Sequence, residues 1–246
     1  MSQAVTEVDS TLEMETERAE PESTEPDPEA LSAAVDGVRR LIANLRKTKA
    51  PGELLERVAN RVRELSDELD EHDHPGPYAQ RRLVLRMENM PPGAAETPAE
   101  FFPYSPVIGP LNAIAPPVEF RLEGREMHAE HVFDAPYNGP PTAVHGGVIA
   151  LVFDELLGTT GAMLDTGGFT GTLSIRYESL TPLGRPIRMR GWIDRREGRK
   201  IFIRGTMHDG DRLCAQAEGV FIQPRESMMA DVLAQRAKRE SHDSPG

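Results

Sequence analysis

The longest apolar run of the chain begins directly after a segment rich in turn formers. The turn formers are Asn138, Gly139, Pro140 and Pro141. His145-Gly146-Gly147 opens the run, which continues through residues 148–157 with few polar interruptions. Because these residues are apolar on nearly every side of a helix, the pattern predicts a helix that is enclosed on most sides. Gly158 and Gly161 mark its expected end, since glycine commonly ends a helix.

Two features of this predicted helix could support chemistry. Gly146 and Gly147 would leave backbone N–H groups open to a ligand at the helix start, where the helix dipole favours negative charge. Asp154 interrupts the apolar run, with Glu155 beside it. A carboxylate among apolar residues loses solvation, which favours a functional role. An Asp154 that simply faces water on a thin polar edge of the helix fits the local pattern equally well.

Alternation of apolar and polar residues after Val118 predicts strands. The expected strands span residues 118–122, 126–133, 170–178, 187–194, 200–208 and 213–222. Glu123-Gly124-Arg125 is an expected turn, and Glu197-Gly198 and Asp209-Gly210 are expected hairpin turns. A helix so apolar needs cover, and an antiparallel sheet curled around it would supply that cover. The order of elements therefore predicts an α+β fold.

The chain outside this region differs in composition. Residues 1–30 carry ten acids and one base with few large apolar side chains, so we expect a disordered acidic tail. Residues 31–74 hold two apolar stripes at helical spacing, separated by Ala50-Pro51-Gly52, and predict a helical extension. Two such helices could pair with each other, pack on the main domain or dimerise. Residues 75–117 are expected to form a linker and an irregular wrap, and residues 225–246 a short helix and tail.

The charge balance narrows the possible partners. The net charge is −12, and the ten acids and one base of residues 1–30 account for −9 of it. A nucleic-acid binder would carry a basic stripe, so no nucleic-acid partner is expected. The N-terminus lacks secretory features and no stretch reaches ~18 consecutive apolar residues, so no membrane span is expected. The single cysteine, Cys214, excludes an intrachain disulfide, and a cytoplasmic location is expected.

Several catalytic motifs are absent from the sequence. There is no G-x-S-x-G nucleophile elbow, no G-x-G-x-x-G after a strand and no P-loop. There is also no H-E-x-x-H and no paired C-x-x-C, so neither a metal nor a cofactor is expected. These absences leave Asp154 as the best placed reactive group.

Two stretches resemble a known family. They are His145-Gly146-Gly147 with Asp154 nine residues after the histidine, and Gly168 to Tyr177 followed by Thr181-Pro182-Leu183-Gly184. Both are similar to the hotdog-fold acyl-CoA thioesterases of the phenylacetyl-CoA thioesterase-like type. The resemblance covers roughly residues 111–224 and implies that residues 118–224 form a hotdog thioesterase domain, a sheet wrapped around a long central helix. It also implies an acyl-CoA substrate and a homodimer, or a dimer of dimers, with sites at the interface.

The resemblance and the needs of thioester hydrolysis assign roles to single residues. Gly146 and Gly147 would polarise the carbonyl group, and Asp154 would activate water. Thr170 would hold the water or the acid, and His145 would organise the loop and assist polarisation. The candidate substrate-binding residues are Asn138, Thr172, Arg176 and Arg185.

Three other functions are compatible with the sequence. A hotdog domain could bind acyl-CoA without hydrolysing it and use the N-terminal helices as regulatory output. The chain could instead be a structural or interaction protein that depends on its helices and acidic tail. A hotdog dehydratase is a lesser enzyme alternative. The presence of both Asp154 and Thr170 favours hydrolysis over binding alone. The sequence pattern does not indicate the acyl chain length or whether the carrier is CoA or acyl-carrier protein.

Overall fold

A six-stranded antiparallel sheet carries one long helix in the computed structural model, which describes residues 27–72, 97–164 and 167–224. The helices are α1 (Pro28–Lys47), α2 (Gly52–Asp70), α3 (Pro98–Phe101) and α4 (Gly146–Met163), and a 3₁₀ turn spans Ala135–Tyr137. The strands are β1 (Arg121–Glu123), β2 (Glu126–Val132), β3 (Phe169–Tyr177), β4 (Pro186–Glu197), β5 (Lys200–Asp209) and β6 (Arg212–Ile222). The predicted α+β architecture is confirmed.

The strands lie in the order β1-β2-β4-β5-β6-β3, and every neighbouring pair is antiparallel. Helix α4 packs across one face of this sheet, against strands β2 to β6. Glycines in the strands allow α4 to approach the sheet closely. A side-chain carbon at Gly191 would lie 2.7 Å from the Thr160 hydroxyl, and one at Gly205 would lie 3.0 Å from Leu157. The sheet therefore supplies the cover that the apolar helix needs.

The core lies between α4 and the sheet. Alternate residues of the strands point at the helix, and their exposed partners point away. The largest fully buried side chains include Phe153, Leu156, Leu157, Ile187, Met189, Ile201, Ile203 and Met207. Each large apolar side chain buried in this way contributes about 1.5–3 kcal/mol to folding, so this layer holds the helix in register with the strands.

The predicted end of the central helix is wrong. Helix α4 continues through Gly158 and Gly161 to Met163. A glycine inside a helix costs about 1 kcal/mol, and the burial of Leu157 and Thr160 beside these glycines offsets that cost. The expectation of enclosure on most sides is also only partly met, because Leu151 is 42% exposed. By length and composition α4 could cross a membrane, but its contacts with the sheet place it in the core of this domain.

The N-terminal helices match the predicted extension with one correction. Helix α1 begins at Pro28, three residues inside the range assigned to the acidic tail. The reason is local, since the Asp27 side chain accepts the Glu29 N–H at 2.9 Å and proline suits the first helical position. Helix α2 ends at Asp70, and neither helix contains a buried residue. Residues 1–26 lie outside the described residues.

The remaining boundaries differ in detail. The first predicted strand shortens to β1, because Val118 is buried without strand pairing and donates its N–H to the Val107 carbonyl at 3.0 Å. The other five predicted strands are present with end shifts of at most three residues. Gly198 and Gly210 both have positive φ and begin the two hairpin turns, which confirms these turns. The predicted linker 75–96 and the C-terminal segment 225–246 lie outside the described residues, and residues 97–117 form a wrap that contains only the short α3.

Candidate active site

The turn before α4 folds back on the histidine that begins the helix. The Asn138 amide donates to the carbonyls of Pro140 at 2.9 Å and Ala143 at 3.1 Å, which closes the turn. Thr142 adopts a positive φ of 63° within it. A side-chain carbon at Gly139 would lie only 2.6 Å from the His145 Cα, so this position requires glycine. The turn therefore fixes where His145 sits.

His145 caps the helix with its own side chain. Its Nδ1 accepts the N–H of Gly147 at 2.9 Å, and its backbone N–H donates to the Tyr137 carbonyl at 2.9 Å. An Nδ1 that accepts a hydrogen bond carries no proton, so the neutral ring carries its proton on Nε2. The side chain is exposed, and its Nε2–H is a donor at the N-terminus of α4.

The first turn of α4 offers fewer backbone donors than the sequence indicates. The Gly147 N–H is committed to the His145 ring, and the Val148 and Ile149 N–H groups donate to the His145 carbonyl. The Gly146 N–H has no acceptor among the described residues, whereas its carbonyl accepts the Tyr177 hydroxyl at 2.9 Å. Of the two glycine amides expected to polarise a carbonyl, only that of Gly146 is therefore unengaged.

The candidate general base lies further along the same helix. Asp154 is half-buried, and its Oδ1 accepts a hydrogen bond from the Thr170 hydroxyl of β3 at 2.9 Å. Within the described part of the chain the carboxylate forms no other hydrogen bond. The structure thus brings together Asp154 and Thr170, as the resemblance implies, and leaves one carboxylate oxygen available.

Glu155 lies beside Asp154 but belongs to another side of the helix, since successive residues are turned by about 100°. It lies beside Ser105 of the wrap, whose hydroxyl accepts the backbone N–H groups of Val107 and Ile108. Burial is the main cause that raises the pKa of Glu155, the Asp154 charge raises it further, and the Ser105 hydrogen bond opposes both. Sequence reasoning gave this residue no role, although its place in the apolar run was visible.

Three predicted binding residues lie away from this pair. The register pairs Thr170 with Phe221 but Thr172 with Val220, so the two threonines point to opposite faces of the sheet. Arg176 lies on the same outer face as Thr172, 3.8 Å from Glu178. Arg185 forms an ion pair at 2.9 Å with the buried carboxylate of Asp209. Their role in substrate binding stays a prediction.

The site lies on an open side of the domain. Gly147, Leu151 and Asp154 share the face of α4 that neither the sheet nor the wrap covers. The neighbouring strand β3 is the edge of the sheet, and its Phe169 and Tyr177 are 61% and 52% exposed. Among the described residues no strand pairs with this edge, and an apolar surface beside such an edge is typical of interaction sites.

The described residues offer no metal site. No group of three or more His, Cys, Asp or Glu side chains converges within residues 27–72, 97–164 and 167–224. His128 and His131 point to opposite faces of β2, with His128 3.3 Å from Glu126 and His131 stacked edge-on against Phe133. Burial lowers the pKa of His131, with a smaller opposing effect from Glu119.

An antiparallel sheet packed around one long central helix is the architecture of the hotdog class. The chain is similar over 80% of its length to a solved structure described as protein RHA08564, a thioesterase superfamily protein, with 33% identity, a TM-score of 0.64 and 93% of that chain covered. The chain belongs to the thioesterase superfamily. Residues 22–76 match the family described as "Hypothetical protein RHA1_ro05818, N-terminal helical domain".

Two curated relatives match a shorter segment. An acyl-coenzyme A thioesterase THEM5 from Homo sapiens is 33% identical over 87 residues, which is 35% of this chain and 35% of the relative. An acyl-coenzyme A thioesterase THEM4 from Xenopus laevis is 34% identical over 91 residues, which is 36% of this chain and 41% of the relative. The chain therefore spans well under half the length of the curated relatives that it matches.

Proposed function

We propose that the chain hydrolyses acyl-CoA thioesters to the free acid and CoA. The observation that carries the proposal is the hydrogen bond from the Thr170 hydroxyl to the Asp154 carboxylate on the open face of α4. A carboxylate held in this way can accept a proton from water, and a module that only binds acyl-CoA has no need of one. The names of the two curated relatives support the same reaction.

In the proposed reaction Asp154 is the general base. It takes one proton from a water molecule as the water oxygen bonds to the thioester carbonyl carbon, and the carbonyl oxygen becomes an oxyanion. When the C=O bond reforms, the C–S bond breaks and CoA leaves as a thiolate, which takes the proton from Asp154. Thr170 keeps the carboxylate oriented throughout. General base catalysis of this kind contributes roughly 10²–10⁴-fold.

The oxyanion is stabilised at the start of α4. Within the described part of the chain, the Gly146 N–H and the His145 Nε2–H are unengaged donors there, and the helix dipole favours negative charge at this end. Because the His145 Nδ1 is held by the Gly147 N–H, the ring presents its Nε2–H in a fixed direction. Gly147 contributes by fixing that ring.

We propose further that two chains build each site. Gly146 and Asp154 are eight residues apart on one helix, which separates them by about 12 Å along the axis. A thioester carbon must lie ~3 Å from its attacking water while its oxygen contacts the oxyanion donors. One helix cannot meet both demands at a single carbonyl. Two antiparallel α4 helices related by a two-fold axis can, because the start of one lies beside the middle of the other.

The edge of the sheet supports this dimer. Pairing β3 with β3 of a second chain would satisfy its open edge and cover Phe169, Tyr177 and Leu151, which are exposed in the single chain. A two-fold axis at that edge would also place the two α4 helices side by side. A symmetric dimer would then hold two equal sites.

The test is a thiol-release assay over short, long and aromatic acyl-CoAs, with acyl-carrier-protein thioesters as a separate arm. The wild-type chain is expected to release CoA from at least one class of acyl-CoA. Asp154→Asn is expected to bind the same acyl-CoA without releasing thiol. If the wild-type chain binds acyl-CoA and releases none, the hydrolysis proposal is wrong and the binding module replaces it.

A further inference from the structure

The polar face of α1 contacts two segments beside the candidate active site. One is the wrap, residues 97–117, and the other is the segment of residues 134–138 before the His145 turn. We infer that α1 is a positioning element for the His145 loop and for α4, and that Arg39 is its principal contact. The catalytic part of this inference rests on the proposed function, whereas the mechanical coupling between α1 and the loop does not.

Arg39 holds the wrap by its backbone. Its Nε donates to the Ala115 carbonyl at 3.1 Å, and its Nη2 donates to the carbonyls of Asn112 at 3.0 Å and Pro110 at 3.3 Å. The side chain is only 21% exposed, and its Nη1 pairs with Asp36 on the same helix. A planar guanidinium can reach three carbonyls at once, whereas a lysine ammonium on a flexible stem cannot fix them in this geometry.

The wrap in turn contacts both halves of the site. The Ile114 carbonyl lies next to Ala115 and accepts the Tyr137 hydroxyl at 3.2 Å, and the Tyr137 carbonyl accepts the His145 N–H at 2.9 Å. At its other end the wrap contains Ser105, which lies beside Glu155, the neighbour of Asp154. The wrap therefore links Arg39 to the oxyanion side and to the base side.

A second route runs directly from the end of α1 to the turn. The Arg46 Nη2 donates to the Asn138 Oδ1 at 3.3 Å, and the Lys47 ammonium lies 2.6 Å from Asp134. Asn138 is the residue whose amide closes the turn on His145. Exposed ion pairs contribute only about 0–1 kcal/mol to stability, so this route acts on the position of the turn more than on the stability of the fold.

The expected consequence falls on the turnover number. A misplacement of about 1 Å at a reacting centre can cost 10²-fold in rate, so a loosened His145 loop lowers kcat more than it raises KM. We expect a roughly tenfold lower kcat when Arg39 loses its guanidinium. A purely structural contact would lower the melting temperature and leave kcat per folded molecule unchanged.

The experiment compares Arg39→Leu with Arg40→Leu in the full chain. Arg40 is the next residue of α1, is exposed and makes no hydrogen bond or ion pair with the described residues, so it is a matched control for lost charge. Hydrogen exchange is followed at the amides of residues 137–147 and, as a reference, at those of β4 and β5. Arg39→Leu is expected to speed exchange in residues 137–147 and lower kcat, whereas Arg40→Leu changes neither. Arg39→Lys is expected to restore little of the slow exchange or of kcat, because lysine lacks the planar set of N–H donors that reaches the three carbonyls.

Three results would overturn the inference. They are unchanged exchange in residues 137–147, an equal rise in β4 and β5 that reports global destabilisation, and faster loop exchange with an unchanged kcat. The exchange comparison decides the coupling even if the wild-type chain releases no thiol. That last outcome contradicts the proposed function alone.

Discussion

The Thr170 hydroxyl donates to the Asp154 carboxylate across 2.9 Å, which joins the edge strand β3 to the open face of α4. The two residues come from different elements and meet only because β3 lies beside the helix at the end of the sheet. The bond fixes one carboxylate oxygen and leaves the other without a hydrogen bond among the described residues. This arrangement suits a base that must present one oxygen to a water molecule.

Asp154→Asn is expected to remove thioester hydrolysis and keep the fold. The change is nearly isosteric, and the amide can still accept the Thr170 hydroxyl, but it cannot take a proton from water. Turnover should fall roughly 10²–10⁴-fold with a melting temperature close to that of the wild type. Thiol release and thermal unfolding measured on the same preparation test this. Wild-type turnover in the variant would make Asp154 a structural residue.

Thr170→Ser and Thr170→Val form a matched pair. Serine keeps the hydroxyl that orients Asp154, whereas valine keeps the shape and removes the donor. We expect Thr170→Ser to remain close to the wild-type kcat and Thr170→Val to lose less than Asp154→Asn does, because orientation contributes less than the base itself. Equal rates for the two variants would exclude an orienting role for the hydroxyl.

His145 variants can separate capping from polarisation. His145→Ala removes the acceptor for the Gly147 N–H and should lower the free energy of unfolding by about 1 kcal/mol. His145→Asn supplies a good capping oxygen and should keep that stability, yet it removes the ring and its Nε2–H. Both variants should lose kcat. Denaturant unfolding and thiol release together check this, and a fully active His145→Asn would show that the ring only caps the helix.

The raised pKa of Glu155 predicts a pH-dependent stability. The folded state holds this proton more tightly than the unfolded chain, whose value is near 4.5, so stability is greatest below that pH and declines as pH rises through the folded-state pKa. Glu155→Gln mimics the neutral form. Its advantage in free energy of unfolding over the wild type should therefore grow from pH 4 to neutrality. The exposed Glu130→Gln is the control, and an equal gain in both would contradict the assignment.

Complementation tests the two-chain site. Asp154→Asn and His145→Asn chains, each inactive alone, are mixed so that heterodimers form. One site of each heterodimer then combines His145 of the first chain with Asp154 of the second, and the other site lacks both. Activity should return to about half that of a wild-type dimer. Properly formed heterodimers without activity, or an active monomer, would show that a single chain carries the whole site.

Local sequence was sufficient for the elements and for singling out Asp154 as the candidate base. The apolar run predicted α4, the alternation predicted the strands, and the spacing from His145 to Asp154 marked both ends of the candidate site. These signals depend on neighbours a few residues apart, which is the range over which helix and strand periodicity operates. The predicted end of the helix was wrong, because burial against the sheet outweighed the free-energy cost of placing Gly158 and Gly161 inside a helix.

The position of Thr172 shows that a shift in strand register can overturn the alternation of faces along a strand. Strict alternation along a strand places residues two apart on one face, which would put Thr170 and Thr172 side by side. The strand contains an irregularity between them at Gly171, and Thr172 pairs with Val220 on the outer face. A single extra residue reverses the facing of every later side chain, and Gly171 inside the strand pattern was its local signal.

The sequence by itself determined that this chain builds an α+β domain around one apolar helix, with a histidine and two glycines at the helix start and one carboxylate along it. Only the tertiary structure decided that the Thr170 hydroxyl bonds the Asp154 carboxylate itself, that the His145 ring engages the Gly147 amide, and that α1 reaches the loop through Arg39. Periodicity and capping preferences act between neighbours in the chain. Contacts across 16 or 76 positions depend on sheet register and on how the wrap packs, and these are set by the whole core at once.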